Sequence, residues 1–302
     1  MKKLLTLLVA LLFTAGMAFG QSNTATVNQV GNNHEADVNQ TGLDNVADVQ
    51  QTANGGDYAK VTQLGVENDA FVNQNGAAGK HNAEVDQEGN RNEATIDRQG
   101  MWGSGLGQAF ITQIGDDNEA FQNQYANKAS LASINQEGND NYAKQDMAAS
   151  FSGGGTGHTA YINQEGNDNY ANQFQRGKGH YADIDQQGND NYAQMRQANS
   201  GSDIYNNEAW INQTGDYNWA GVNQYGDENV FYVIQDGNSN IVEGTVGAFE
   251  GKFQQQGDEN DANFNQVGNG NKIIGGQYGD LHTMTVDQIG NGNTSTVIQN
   301  GF

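Results

Sequence analysis

Asn23-Thr24-Ala25-Thr26-Val27-Asn28-Gln29-Val30-Gly31 is a phrase in which Asn, Ala, Val, Gln and Gly stand at alternate positions. It returns at a spacing close to eleven residues as far as Asn293-Thr294-Ser295-Thr296-Val297-Ile298-Gln299-Asn300-Gly301. A fixed period of this kind marks a repeat architecture. The period of two inside each copy marks strand and excludes helix. Side chains of a strand alternate between faces, so Asn, Ala, Val and Gln share one face. That face is the interior: its second position is Ala from Ala25 through Ala220 and its third is mostly Val or Ile, while the opposite set is Asp, Glu, Asn, Thr and Lys.

Counting by the Gln position gives twenty-four strands. From each even strand to the next odd one the spacing is eleven residues, as from Gln40 to Gln51, Gln63 to Gln74, Gln164 to Gln175 and Gln277 to Gln288. From odd to even it varies, with inserts at 77–80, 101–106, 148–157 and 198–205 and one shortening between Val246 and Phe249. Alternating constant and variable connections predict two strands per coil. The fold class is therefore all-β, a β-solenoid of two facing parallel sheets, with eleven full coils, a half-coil at each end and every irregular loop on one edge.

Stacked coils place like residues about 4.8 Å apart. An Asn ladder is expected in the odd strands, at Asn23, Asn45, Asn68, Asn92, Asn118, Asn141, Asn169, Asn191, Asn218, Asn240 and Asn260, broken at His282. Gln ladders are expected at the other edge of both sheets, the even one through Gln40, Gln63, Gln87, Gln113, Gln136, Gln164, Gln186 and Gln213. Stacked amides satisfy one another, where an unpaired buried polar group would cost about 1–3 kcal/mol. Arg98, Met147 and Val246 depart from Gln, and Gln122, Gln145 and Gln173 replace Val in three successive odd strands as a local extra ladder. Two residues after each even-strand Gln comes a glycine, Gly42, Gly65, Gly89, Gly115, Gly138, Gly166, Gly188 and Gly215, expected where the chain reverses through positive φ.

Met1 to Lys3, the apolar run 4–13 and the small residues Ala18 and Gly20 predict a secretory signal peptide over 1–20, leaving 21–302 as one repeat domain. The run is too short for a membrane span. With no cysteine, stability cannot come from disulfides, and the absence of proline suits uninterrupted sheet. The formal charge is −23, and loss of Lys2 and Lys3 would leave −25. Nucleic acid and stable insertion into an anionic membrane are excluded as partners on that ground.

All five histidines, His34, His81, His158, His180 and His282, occupy the Asn position. A metal site between His158 and His180 is weighed against His substituting for Asn in a polar ladder, and the second reading accounts for all five. Acidic turns such as Asn139-Asp140 and Asp116-Asp117 are read as solvated charge rather than calcium ligands. Tyr142, Tyr170, Tyr192 and Trp219 should form an outward aromatic strip, either a planar ligand surface or simple cross-strand stacking. No nucleophile elbow, phosphate loop or acid–base pair stands apart from the repeat, so neither enzyme activity nor a cofactor is expected.

Gln136-Glu137-Gly138-Asn139-Asp140-Asn141-Tyr142-Ala143, with its counterparts at Gln164 to Ala171 and Gln186 to Ala193, resembles the curlin repeat. The likeness covers essentially residues 23–301, with more repeats than is usual in that family and no secretion segment between the expected cleavage point and the first repeat. The resemblance implies a curli-type functional amyloid subunit whose partners are copies of itself, a nucleator subunit and an outer-membrane export pore. It implies biofilm fibres outside the cell. Independently, uncapped first and last strands predict end-to-end polymerisation. The competing reading is a monomeric solenoid adhesin or an ice- or carbohydrate-binding repeat. An ice binder would need a regular Thr-x-Thr array, which occurs only at Thr24-Ala25-Thr26 and Thr294-Ser295-Thr296.

Overall fold

Each phrase runs as an extended strand because no proline interrupts it and its apolar positions fall on one side. The computed structural model describes residues 22–53, 55–76, 81–100, 107–125, 130–149, 157–198, 204–245 and 251–301. The expected signal peptide, the insert residues 77–80, 101–106, 150–156 and 199–203, and Val246 lie outside the described residues.

Among the described residues twenty-four strands form two parallel sheets. One sheet contains β1 (Thr24–Gly31), β3 (Val46–Ala53), β5 (Asp69–Gly76), β7 (Glu93–Gly100), β9 (Glu119–Tyr125), β11 (Tyr142–Ala149), β13 (Tyr170–Gly177), β15 (Tyr192–Gln197), β17 (Trp219–Tyr225), β19 (Ile241–Gly244), β20 (Phe253–Gln256), β22 (Lys272–Tyr278) and β24 (Thr294–Asn300). The facing sheet contains β2 (Glu35–Leu43), β4 (Tyr58–Val66), β6 (Asn82–Asn90), β8 (Gln108–Ile114), β10 (Leu131–Glu137), β12 (Thr159–Glu165), β14 (Tyr181–Gln187), β16 (Glu208–Thr214), β18 (Val230–Asp236), β21 (Asp261–Val267) and β23 (Thr283–Ile289). The first is called the odd sheet and the second the even sheet. Register is like on like, as where Ala132, Ile134 and Gln136 pair with Ala160, Ile162 and Gln164. The result is the solenoid expected from the repeat.

Between the sheets the alanines from Ala47 to Ala220 are fully buried, with Val49, Val61, Val72, Ile96, Ile111, Ile162 and Ile184 beside them. Alanine at the second position lets the sheets approach closely, and the β-branched residue at the third fills the wider part of the gap. Toward the C-terminal end larger rings take over. Phe231 packs 5.7 Å from Phe264 edge-on and 5.5 Å from Phe253. Gly275 leaves room under the Phe253 ring, which a Cβ there would touch.

Spacing made Val246 the end of an odd strand and put the strands after it out of phase. Instead β19 and β20 are two halves of one level: Trp219 and Ala220 pair with Ile241 and Val242, while Val222 to Tyr225 pair with Phe253 to Gln256. From Val242 to Phe253 is eleven positions where Ala220 to Val222 is two, so nine residues are inserted inside a strand rather than in a turn. The shortening expected between Val246 and Phe249 lies outside the described residues, and Gln255, not Val246, holds the Gln position of that level. Accordingly β22 and β24 lie in the odd sheet and β21 and β23 in the even one. Because two of the thirteen odd-sheet strands share a level, the described residues form twelve odd levels and eleven even ones. Among the described residues eleven coils follow the single strand β1, without the half-coil expected at the C-terminal end.

Every constant turn contains two residues with positive φ. The glycine at its start is one, such as Gly138 at 122° and Gly166 at 115°. The residue before the Asn is the other, such as Asp140 at 55°, Asp168 at 56° and Arg91 at 54°. The glycine is required twice over, because a Cβ at Gly166 would also run into the carbonyl group of Gly188 in the stacked turn.

Candidate functional site: amide ladders and exposed end faces

The even sheet carries one continuous Gln ladder. The side-chain amide of Gln40 donates to Gln63 at 2.8 Å, Gln63 to Gln87 at 2.9 Å and Gln87 to Gln113 at 2.9 Å. It continues through Gln136, Gln164, Gln186, Gln213, Gln235 and Gln266 to Gln288. Each amide also donates to backbone of the opposite sheet, as Gln136 Nε2 does to Glu119 O at 3.1 Å and Asn141 O at 3.0 Å. The ladder thus links coils along the axis and fastens the two sheets together.

In the odd sheet the Gln ladder is interrupted where Arg98 and Met147 stand. Gln29, Gln51 and Gln74 are joined, and so are Gln175, Gln197, Gln224, Gln255, Gln277 and Gln299. Donation always runs toward the C-terminal neighbour, so an interruption deprives the next Gln of its donor. Gln124 Oε1 and Gln175 Oε1, the residues following Arg98 and Met147, are buried without a hydrogen-bond partner. The same logic covers Gln122 Oε1, which heads the extra ladder Gln122, Gln145, Gln173 and follows Ile96. Arg98 is buried, donates to Gly107 O and has its pKa lowered to about 10 by that burial.

The Asn ladder has the opposite polarity. Asn68 N and Nδ2 both donate to Asn45 Oδ1 at 3.0 Å, and the pattern repeats at Asn92, Asn118, Asn141, Asn169, Asn191 and Asn218. Nδ2 reaches forward as well, from Asn141 to Gly166 O at 2.7 Å. After Asn240 the ladder passes to Asn271 and Asn293, not to Asn260. Asn260 and His282 belong to the opposite edge, in the series Asn207, Asn229, Asn260, His282. His282 therefore breaks nothing in the odd sheet. The nine-residue insertion is the reason for both corrections.

All five histidines stand at this even-sheet edge, where they imitate Asn. His180 Nδ1 lies 3.1 Å from the Asn207 N–H, and its Nε2 lies 3.2 Å from Arg176 O. His158 does the same with His180 N and Ala148 O. The His158 and His180 rings are stacked at 5.1 Å and 4°. Their nitrogens face backbone groups rather than a shared point. Among the described residues no group of three or more potential ligands could hold a metal ion. Burial, first of all, lowers His158 to about 4 and His180 to about 3, with His158 adding to the latter. Burial likewise lowers His81 to about 4, helped by Arg98. These rings are neutral ladder members.

A third ladder runs through the turns. Asn139 N and Nδ2 donate to Asn167 Oδ1 at 3.0 Å, Asn167 repeats this on Asn189, and Asn189 on Asp216. Asp116 accepts from Asn90 at 2.8 Å, so it is a ladder member rather than only a solvated charge. The recurrence of Asn or Asp one residue after the turn glycine, from Gly89-Asn90 onward, was the available signal. On the outward face of the odd sheet, Tyr142, Tyr170, Tyr192 and Trp219 are stacked with ring centroids 5.0, 4.5 and 6.1 Å apart.

The two end faces differ from the rest of the rod. Each of β1, β2, β23 and β24 has one strand neighbour among the described residues. The core face is uncovered there: Val27 is 47% exposed whereas Val49, in the same position one coil inward, is 0% exposed. All of β1 is exposed, and Ser295 and Val297 of β24 are half-buried.

A family model for the curlin associated repeat matches residues 20–52, 166–198 and 206–240. The strands between these segments pair with them in the same register. No curated protein matches the chain.

Proposed function

We propose, from the premise that this chain is a curlin associated repeat protein, that it is a secreted structural subunit which polymerises end to end into extracellular curli-like amyloid fibres. One observation carries the reading: among the described residues each outermost strand leaves one backbone edge unpaired and the inward side chains of β1 and β24 are exposed or half-buried, while the strands between are paired on both edges. An exposed strand edge backed by exposed Ala and Val is a template for another strand. The ladders add direction. Gln amides donate toward the C-terminal end and Asn amides toward the N-terminal end. A C-terminal face thus matches an N-terminal face and not another of its own kind. The curlin repeat belongs to a structural family, and the proposed role is matrix building and adhesion rather than catalysis. A nucleator and an outer-membrane export pore are the further partners expected of such a subunit.

The experiment is a time course by negative-stain microscopy and amyloid-dye binding on the purified chain lacking residues 1–20. Unbranched fibres without added cofactor are expected. A chain that folds and stays monomeric for days at micromolar concentration would overturn the proposal.

A further inference from the structure

Successive strands climb the axis by half a coil. Gln40 of β2 donates to Thr24 O of β1 and to Asn45 O just before β3, so β2 sits between their levels. Gln51 of β3 likewise spans Glu35 O and Asp57 O. At the other end Gln288 of β23 reaches Lys272 O at 3.0 Å and Gln299 of β24 reaches Thr283 O at 2.8 Å. The climb is unbroken. Because β19 and β20 share a level, the described chain contains twelve odd-sheet and eleven even-sheet levels, and it both begins and ends in the odd sheet.

An odd number of half-coils constrains how two copies meet. The next half-step beyond β24 falls in the even sheet, on β23. If a second copy is added without rotation, its β1 pairs with β24, but its β2 lies two levels from β23, about 10 Å away. One strand-wide gap is left in the even sheet, with unpaired backbone on both sides, which a sheet does not tolerate cheaply. If the second copy is turned by half a revolution about the axis, its β1 seats on β23 and its β2 on β24. No gap remains.

We infer that, in the end-to-end polymer proposed above and on which this rests, successive subunits are rotated by 180° about the fibre axis, each docking its β1 on the preceding β23 and its β2 on the preceding β24. The two sheets are interchangeable because both carry the same inward phrase, so Gln288 meets Gln29 and Gln299 meets Gln40. Both edge successions this creates already occur within the chain. His282 followed by Asn23 repeats His180 followed by Asn207, where His180 Nδ1 accepts the Asn207 N–H at 3.1 Å. Asn293 followed by His34 repeats Asn260 followed by His282, where Asn260 Oδ1 accepts the His282 N–H at 3.1 Å. The outward pairs are Thr283 with Thr24, Thr285 with Thr26, Asp287 with Asn28, Thr294 with Glu35, Thr296 with Asp37 and Ile298 with Asn39, and none sets like charges together. A consequence is that the edge carrying the variable loops changes side from one subunit to the next.

The chain has no cysteine, which makes the junction readable by disulfide trapping. Partners in the rotated junction have Cα atoms about 4.8 Å apart, within disulfide reach. Thr26, Asp37, Thr285 and Thr296 are all exposed. Fibres of the T26C/T285C and D37C/T296C variants, mildly oxidised, should give a ladder of covalent multimers on non-reducing gels, and T26C/T296C should stay monomeric. In the unrotated junction the outcome inverts, because Thr26 and Thr285 then face outward on opposite sheets. A T26C/T296C ladder, with or without the others, overturns the alternation, as does the absence of any ladder from well-formed fibres. Failure of the cysteine-free chain to form fibres would instead remove the polymer itself.

Discussion

Gly166→Ala isolates what the stacked turns require. Gly166 has φ at 115°, which an L side chain enters at a cost of about 1–3 kcal/mol. The added Cβ would also displace the carbonyl of Gly188, which accepts the Asn169 Nδ2 hydrogen bond at 2.8 Å. Loss of that buried bond costs about 1–3 kcal/mol more. Together roughly 2–6 kcal/mol should disappear from the guanidinium unfolding free energy, followed by tryptophan fluorescence on the freshly refolded chain. Asp168→Gly is the matched control: Asp168 has φ at 56°, and Gly270 and Gly292 already fill the equivalent place. That variant should stay within about 1 kcal/mol of the parent, because relief of left-handed strain offsets glycine's added freedom. Equal losses from the two substitutions, or a loss below about 1 kcal/mol for Gly166→Ala, would refute the argument that turn stacking demands glycine.

Three further outcomes follow from the same geometry. Met147→Gln should raise unfolding free energy by about 1 kcal/mol, since it supplies the donor that buried Gln175 Oε1 lacks, and a decrease in a denaturant titration would contradict this. His158 and His180 are lowered to about 4 and about 3, below the ordinary 6.5, so the unfolded chain binds more protons in that window. Their contribution is complete above pH 6.5 and is lost as pH falls toward 4. Buried Asp57 and half-buried Asp183, both raised chiefly by desolvation, work in the other direction. The readout is therefore the difference between parent and H158N/H180N, whose stability should fall less between pH 6.5 and 4, and parallel curves would contradict the assignment. Four Gly/Ser residues inserted between Gln197 and Asn207 should leave fibre growth nearly unchanged, while the same insert after Gly188 should abolish it; equal growth rates would refute the two-edge arrangement.

Much of this was legible because the repeat confines chemistry to fixed places. Ala59, Val61 and Gln63 could be assigned to the interior from alternation alone, and the turn glycines from their recurrence. What could not be read was where length had been added. Val246 stands eleven residues after Gln235 and so imitates the end of a strand, although the added residues lie within the strand and the level closes at Gln255. Only pairing with β17 and β22 reveals that. The error then moved Asn260 and His282 to the wrong edge, which hid the fact that all five histidines line one side. The left-handed residue at Asp140 and the turn ladder at Asn139 escaped for another reason. Both positions look like ordinary polar turn residues until stacking shows which groups face the next coil.

Mass per unit length, measured on unstained fibres by scanning transmission electron microscopy, tests the central claim most directly. The twelve odd and eleven even levels make twenty-three half-steps, and at about 2.4 Å each they advance the fibre by roughly 55 Å per subunit. For a chain of 32.4 kDa, or slightly less without residues 1–20, a single filament should therefore weigh about 0.6 kDa per Å. A fibre in which each chain lay flat in one strand layer would weigh about 7 kDa per Å. The lower value is the prediction of end-to-end solenoid stacking, and a single filament near the higher one would contradict it.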